Sequence, residues 1–124
     1  MAPGEVMGLA GQRGFTLRSI QYPDARVSLL YQHGNLEVIA VEVGAGATLA
    51  EPSLWGGSSW HLVVEGQAIF QQGDRRWELL PEEALCLTDS APYTIVNPAP
   101  ERVKLLTLFF RQHRPDRRKG GGRQ

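Results

Sequence analysis

The sequence has one cysteine, Cys86, so no disulfide can form within the chain and no thiolate cage for a metal is available. Histidine is scarce: His33, His61 and His113 are the whole supply of imidazole. No apolar run reaches membrane-spanning length, which leaves no reason to expect membrane contact. The first residues, MAPGEVMGLAGQRG, lack a basic segment followed by an apolar stretch, so no signal peptide is expected and the compartment implied is the reducing cytoplasm. Helical patterning is missing as well. No window of about 11 residues keeps an apolar stripe at helical spacing, and no segment repeats at a fixed period.

What is present is ordinary for one globular domain. The 124 residues are 42% hydrophobic and 21% charged, long enough to bury a single core without staples. The formal net charge is zero but unevenly placed. Residues 111–124, RQHRPDRRKGGGRQ, hold six of the 13 Lys and Arg against one of the 13 Asp and Glu, a balance of +5. The rest of the chain keeps 7 basic and 12 acidic groups, a balance of −5. No aromatic side chain interleaves with the basic ones, so the stacking half of a nucleic-acid site is lacking. The segment reads as a solvated, disordered tail, and nucleic acid is not the expected partner.

Turn signals recur every 8 to 12 residues or so, the rhythm of an all-β sandwich or barrel. Phe15–Ile20 is a candidate strand, followed by a turn at Tyr22-Pro23-Asp24-Ala25. Val27–Tyr31 alternates, with Val27, Leu29 and Tyr31 on one face and Ser28 and Leu30 on the other. His33-Gly34-Asn35 turns the chain into Leu36–Val43, which makes a hairpin. Gly46–Gly66, GATLAEPSLWGGSSWHLVVEG, reads as a loop feeding an extended run at Ser59–Val64. Further strands are expected at Gln67–Gln72, Arg76–Leu80, Ala84–Leu87, Tyr93–Asn97 and Val103–Phe110. Leu62–Val64 and Leu105–Phe110 are apolar on both faces, so one side can fill a barrel while the other packs elsewhere. The division expected is a flexible segment 1–14, a β-barrel domain 15–110 and the basic tail 111–124.

Over about residues 27–110 the chain resembles a small single-domain cupin, a double-stranded β-helix of the jelly-roll type. The first cupin motif is Gly, five residues, His-x-His, three or four residues, Glu, six residues, Gly. Gly46 and Gly66 stand at its two ends with that spacing. The second motif is Gly, five residues, Pro-x-Gly, two residues, His, three residues, Asn. Asn97 matches its end, and the segment from Glu82 has the right length. Gln67–Pro81 separates the two motifs by a short interval, as in microbial cupins.

The departures from the motifs are as informative. The two histidines of the first motif fall on Pro52 and Leu54, its glutamate on Ser59, and the histidine of the second on Tyr93. The Gly, Pro and Gly that open the second are Glu82, Thr88 and Ser90. Proline and leucine offer no side-chain donor, neutral serine is a poor ligand, and tyrosine ionises only near pH ~10. No metal and no other cofactor is therefore expected. A shifted set of His61, Glu51 and Glu65 is conceivable but is not the expectation.

Strand alternation puts Ser59, His61 and Val63 on one face, and Tyr93, Ile95 and Asn97 on another. Leu54 and Trp55 would close the mouth, with Phe70 or Ile69 and Cys86 or Leu85 along the floor. The expected ligand site is then Leu54, Trp55, Ser59, His61, Phe70, Tyr93 and Asn97, an apolar pocket with a few polar groups. His61 and Tyr93 are the candidates for acid–base work. Ser59 and His61, two apart on one strand, are expected to lie ~6.5–7 Å apart, too far for a direct pair. Cys86 reads as an inert buried thiol, with no cation beside it.

Three functions remain open. The first is a metal-free barrel that binds a small apolar or aromatic molecule as a sensor or carrier. The second is a metal-independent isomerase, cyclase or lyase using His61 and Tyr93. The third is a structural or interaction barrel with a filled lumen. The resemblance also implies a homodimer, since small cupins commonly pair their sheets.

Overall fold

The computed structural model describes residues 17–88 and 91–111. The expected segment 1–14 and the tail beyond Arg111 lie outside the described residues. Among the described residues ten strands occur in the order β1 (Arg18–Tyr22), β2 (Ala25–His33), β3 (Leu36–Val43), β4 (Thr48–Leu49), β5 (Gly57–Glu65), β6 (Ala68–Gln72), β7 (Arg75–Leu79), β8 (Ala84–Leu87), β9 (Thr94–Val96) and β10 (Val103–Arg111). A 3-10 turn, Pro52–Leu54, precedes β5.

The strands form two sheets, β1-β2-β3-β10-β5-β8 and β4-β9-β6-β7, and every pairing is antiparallel. Their inner faces supply one core, from Val27, Ile39, Val41, Val63, Phe70, Leu79, Ile95, Leu105 and Phe109 among others. Two-residue hairpin loops need a left-handed residue to match strand twist. Gly34 (φ 60°) supplies it between β2 and β3, and Gly73 (φ 61°) between β6 and β7.

Alternation predicts most of these elements, and the differences have physical causes. The register of β2 against β3 shifts between Leu29 and Tyr31, leaving Leu30 as the extra residue of a bulge. Tyr31 therefore stands opposite Val38, on the face away from Val27 and Leu29, which corrects the single face expected for all three. The short β4 and the 3-10 turn lie within the segment expected to be loop. At the turn, the Glu51 carboxylate accepts from Ser53 N at 3.2 Å, Pro52 occupies the first turn, and Trp55 N closes on Pro52 O at 3.0 Å. The final strand runs through Arg111, because that residue pairs with Gly57 of β5 and its guanidinium grips the buried Glu37 carboxylate at 3.0 Å.

Candidate functional site

The candidate site begins on β5. Ser59, His61 and Val63 point inward, and they are 2%, 0% and 0% exposed. In register beside them on β10 are Phe109, Thr107 and Leu105, so the imidazole of His61 faces the Thr107 hydroxyl. His61 Nδ1 and Thr107 Oγ1 are 2.8 Å apart, and His61 Nε2 and Ser59 Oγ are also 2.8 Å apart. A direct Ser59–His61 bond corrects the expected separation. Two residues of strand hold the Cβ atoms apart, but the imidazole lies back along the strand and spans the gap. Each ring nitrogen has a hydroxyl that can either donate or accept, so a neutral imidazole is satisfied in either tautomer.

Desolvation by burial lowers the His61 pKa to about 3. A Ser-His pair needs a base that takes the serine proton near neutral pH and a group that steadies the base. Here the base is held neutral, its second partner is a threonine hydroxyl instead of a carboxylate, and both members are buried. Serine nucleophilicity is not what this arrangement confers.

Two aromatic rings border that polar row. Phe70, from β6, and Tyr93, just before β9, lie 4.7 Å and 5.4 Å from the His61 ring centre, and 5.9 Å from each other. Tyr93 is edge-on to His61, with an interplanar angle of 70°. Of the alternatives weighed for the floor, Phe70 makes these contacts, and Leu85 stands opposite His61 in β8. Cys86 corrects the expectation of a buried thiol: it is exposed, because β8 is an edge strand and Cys86 pairs with Trp60 on the outer face.

The Tyr93 hydroxyl has no hydrogen-bond partner among the described residues, although the side chain is only 5% exposed. Burial pushes its pKa above the ordinary tyrosine value, and the neighbouring Ser59 hydroxyl offsets this in part. The two hydroxyls are neighbours, but they stand outside hydrogen-bonding geometry. A buried hydroxyl without a partner costs roughly 1–3 kcal/mol. Above Tyr93 stands Trp55, half-buried, whose Nε1–H donates to the Tyr93 carbonyl at 3.1 Å.

The other two expected site residues are elsewhere. Leu54, 2% exposed, turns toward Val27, Leu29 and Ile39 and borders a gap of about 40 Å³ with Arg18 and Arg111 at its rim. Asn97 faces inward as alternation predicts, but its amide is committed to backbone. Nδ2 donates to the carbonyls of Val43, Gly44 and Glu101 at 3.0, 3.0 and 2.6 Å, and Oδ1 accepts from Ala99 N at 3.0 Å. The sequence reading missed Thr107. Its signal was available, since it is the one polar residue in the inward series Val103, Leu105, Thr107, Phe109.

The donors present do not fit a metal ion. Pro52 is exposed on the 3-10 turn, Leu54 faces another part of the core, and both nitrogens of His61 are hydrogen-bonded. Glu51 accepts from the Tyr22 hydroxyl and from Ser53, while Glu65 is exposed beside Lys104 at 3.7 Å. Among the described residues no three His, Cys, Asp or Glu side chains converge. None of their helices is long and apolar enough to cross a membrane.

No protein family and no curated protein matches the sequence. Solved structures share its architecture. A cupin superfamily protein from Desulfitobacterium hafniense is 18% identical, with a TM-score of 0.62 over 75% of this chain and 83% of that one. The Cupin_2 domain of an XRE family transcriptional regulator from Enterobacter cloacae is 16% identical, with a TM-score of 0.63 over 73% of this chain and 99% of that domain. A conserved protein with a double-stranded β-helix domain from Klebsiella pneumoniae is 16% identical, with a TM-score of 0.61 over 72% and 78% of the two chains. Identities this low carry the fold alone. The all-β, cupin-like double-stranded β-helix read from the glycine spacing and the turn rhythm is the fold of this chain.

Proposed function

We propose that this cupin-like barrel binds a small apolar or aromatic molecule beside Tyr93, without a metal, as a sensor or carrier. The observation that carries the reading is the Tyr93 hydroxyl, buried and without a partner in a setting of aromatic rings. A native interior satisfies nearly all of its polar groups, and an orphan at a candidate site marks a position where a ligand atom or water belongs. Phe70 offers apolar surface beside the ring, and the phenol offers one directional contact, the usual division of labour in a small-molecule site. The Enterobacter cloacae structure is a domain of a transcriptional regulator.

The enzymatic reading, with His61 and Tyr93 as base and acid, has less support. A base works best with a pKa near the operating pH, and burial moves His61 down and Tyr93 up, away from it. The filled-lumen reading is favoured by the complete burial of His61 and Phe70, and the following test separates it. Purified protein is examined by native mass spectrometry for a co-purifying molecule, then by thermal shift against small phenols, aryl carboxylic acids and aliphatic alcohols. A bound mass or a concentration-dependent rise in Tm that Tyr93→Phe abolishes is the expected result. A bare mass and no shift by any of these compounds would leave the filled barrel standing.

A further inference from the structure

The buried polar row has a direction, and the supply of protons along it fixes which. Thr107 lies on β10 between β3 and β5, with Ile39 and His61 beside it in register. Leu105 and Phe109 precede and follow it on the same face. The side chain is fully buried, and the imidazole is the one partner of its hydroxyl among the described residues. A hydroxyl has one proton to give. If His61 carried its own proton on Nδ1, that N–H would donate to Thr107, and the threonine proton would be left among apolar side chains. With the proton on Nε2, Thr107 donates to Nδ1 and nothing on its side of the ring is stranded. A buried donor without an acceptor is the costlier state. Thr107 therefore holds His61 in the Nε2–H tautomer.

The consequence falls at the other end of the row. His61 Nε2–H donates to the Ser59 oxygen, 2.8 Å away. The Ser59 proton is then left over, because that hydroxyl has no second partner among the described residues. Beside it stands the Tyr93 hydroxyl, near enough to feel Ser59 in its ionisation and without a partner of its own. Two buried O–H groups are thus neighbours, each with a proton to give and neither with an acceptor.

We propose that this site takes a neutral carbonyl compound, whose oxygen accepts from Ser59 and Tyr93 together, and that Thr107 sets the preference through the His61 tautomer. The inference rests on the reading that a small molecule binds beside Tyr93. A carbonyl oxygen has two lone pairs and no proton, so it satisfies both donors and adds none. An alcohol or a phenol also accepts, but it brings a proton of its own and leaves one donor stranded. A hydrocarbon strands both. A carboxylate accepts well, yet its charge would be buried beside an imidazole that burial keeps neutral. Sites that pair their buried polar groups with one ligand reject analogues that leave those groups unpaired.

Two measurements test the proposal. In isotope-labelled, ligand-free protein, long-range proton–nitrogen correlation spectra read which nitrogen of His61 is protonated, its signals being identified by their loss in His61→Gln. The expected result is a proton on Nε2 and a bare Nδ1. A proton on Nδ1 overturns the proposal, whatever binds. Calorimetric titration then compares acetophenone, its reduced alcohol, ethylbenzene and benzoate, which share a phenyl ring and differ at the polar group. Acetophenone should bind roughly tenfold or more tightly than each of the others. Thr107→Val keeps the shape and deletes the hydroxyl, so it should shrink the ketone-to-alcohol margin to roughly threefold or less, and Thr107→Ser should restore it. A threonine that only fills space would weaken all four alike, and that result removes its role in the preference. Alcohol or carboxylate bound as tightly as the ketone overturns this inference and leaves the small-molecule reading standing. Binding by none of the four, nor by the phenols, acids and alcohols named above, overturns both. The tautomer and the wild-type margin decide the matter even if Thr107→Val does not fold.

Discussion

His61 illustrates how one buried side chain ties stability to pH. In the folded chain burial lowers its pKa to about 3, whereas the unfolded chain takes up the proton near 6.5. Between those values the unfolded state binds a proton that the folded state does not. Stability from this group is thus complete above pH 6.5 and is lost as pH falls toward 3, with a limiting slope of about 1.4 kcal/mol per pH unit. His61→Gln deletes that proton uptake. Urea unfolding at pH 7, 6 and 5 should show a shallower decline for the variant, from a lower starting value because the ring's packing is lost. Parallel declines would assign the pH dependence to other groups. Glu42 acts lower in the pH range. Burial raises its pKa, but Arg26 and Arg102 outweigh that and hold the carboxyl below 4.5, so its contribution is present above that value and lost as pH falls beneath it. Tyr93→Phe is a second residue-scale test. Removing an unpartnered buried hydroxyl should raise the stability of the ligand-free protein by about 1 kcal/mol. A loss of stability would mean that the hydroxyl has a partner in the folded state.

At the scale of strands and turns, the two glycines that frame β4 and β5 do different work. Gly46 (φ 69°) and Gly66 (φ 89°) both occupy left-handed backbone. A Cβ on Gly46 meets nothing within 4 Å, while one on Gly66 would lie 2.8 Å from the Arg102 carbonyl oxygen and 2.9 Å from Val103 Cα. Gly46→Ala should therefore cost about 1 kcal/mol, the conformational penalty alone. Gly66→Ala adds a clash with rigid backbone at the start of β10 and should cost roughly 3 kcal/mol or more. Denaturant melts of the two variants measure the difference, and equal losses would mean that β10 yields at its first residues. The spacing of these glycines was legible in the chain, but their inequality was not. The close approach at Gly66 is made by residues far along the sequence. The bulge at Leu30 was hidden for a similar reason. Alternation predicts faces only while the register holds, and the slip between β2 and β3 turned Tyr31 outward.

For the whole molecule, Asn97 is a clasp between parts that meet only in the closed barrel. Its side chain ties the end of β3 to the link between β9 and β10, and its backbone N–H reaches Ala47 at 2.9 Å. Asn97→Asp would set a carboxylate against three carbonyl oxygens and should destabilise the fold by about 3 kcal/mol or more, with Asn97→Ala less severe. Thermal unfolding of both variants measures this, and an aspartate tolerated as well as alanine would deny the clasp its role.

The chain's local order carried the architecture. Turn residues, alternation and glycine intervals act over a few neighbours, and they specified an all-β barrel, most strand positions and the inward series Ser59-His61-Val63. They also disclosed the loss of metal donors, because a missing imidazole is visible without coordinates. Contacts between distant segments settled the rest. Thr107 stands beside His61 only because β10 enters between β3 and β5. Leu54 fills the side of the barrel near Leu29 because the Glu51-capped turn aims it there. Asn97 serves the backbone, and Cys86 faces outward at an edge. Such outcomes depend on which strands become neighbours, a property of the closed barrel that no short stretch of sequence contains.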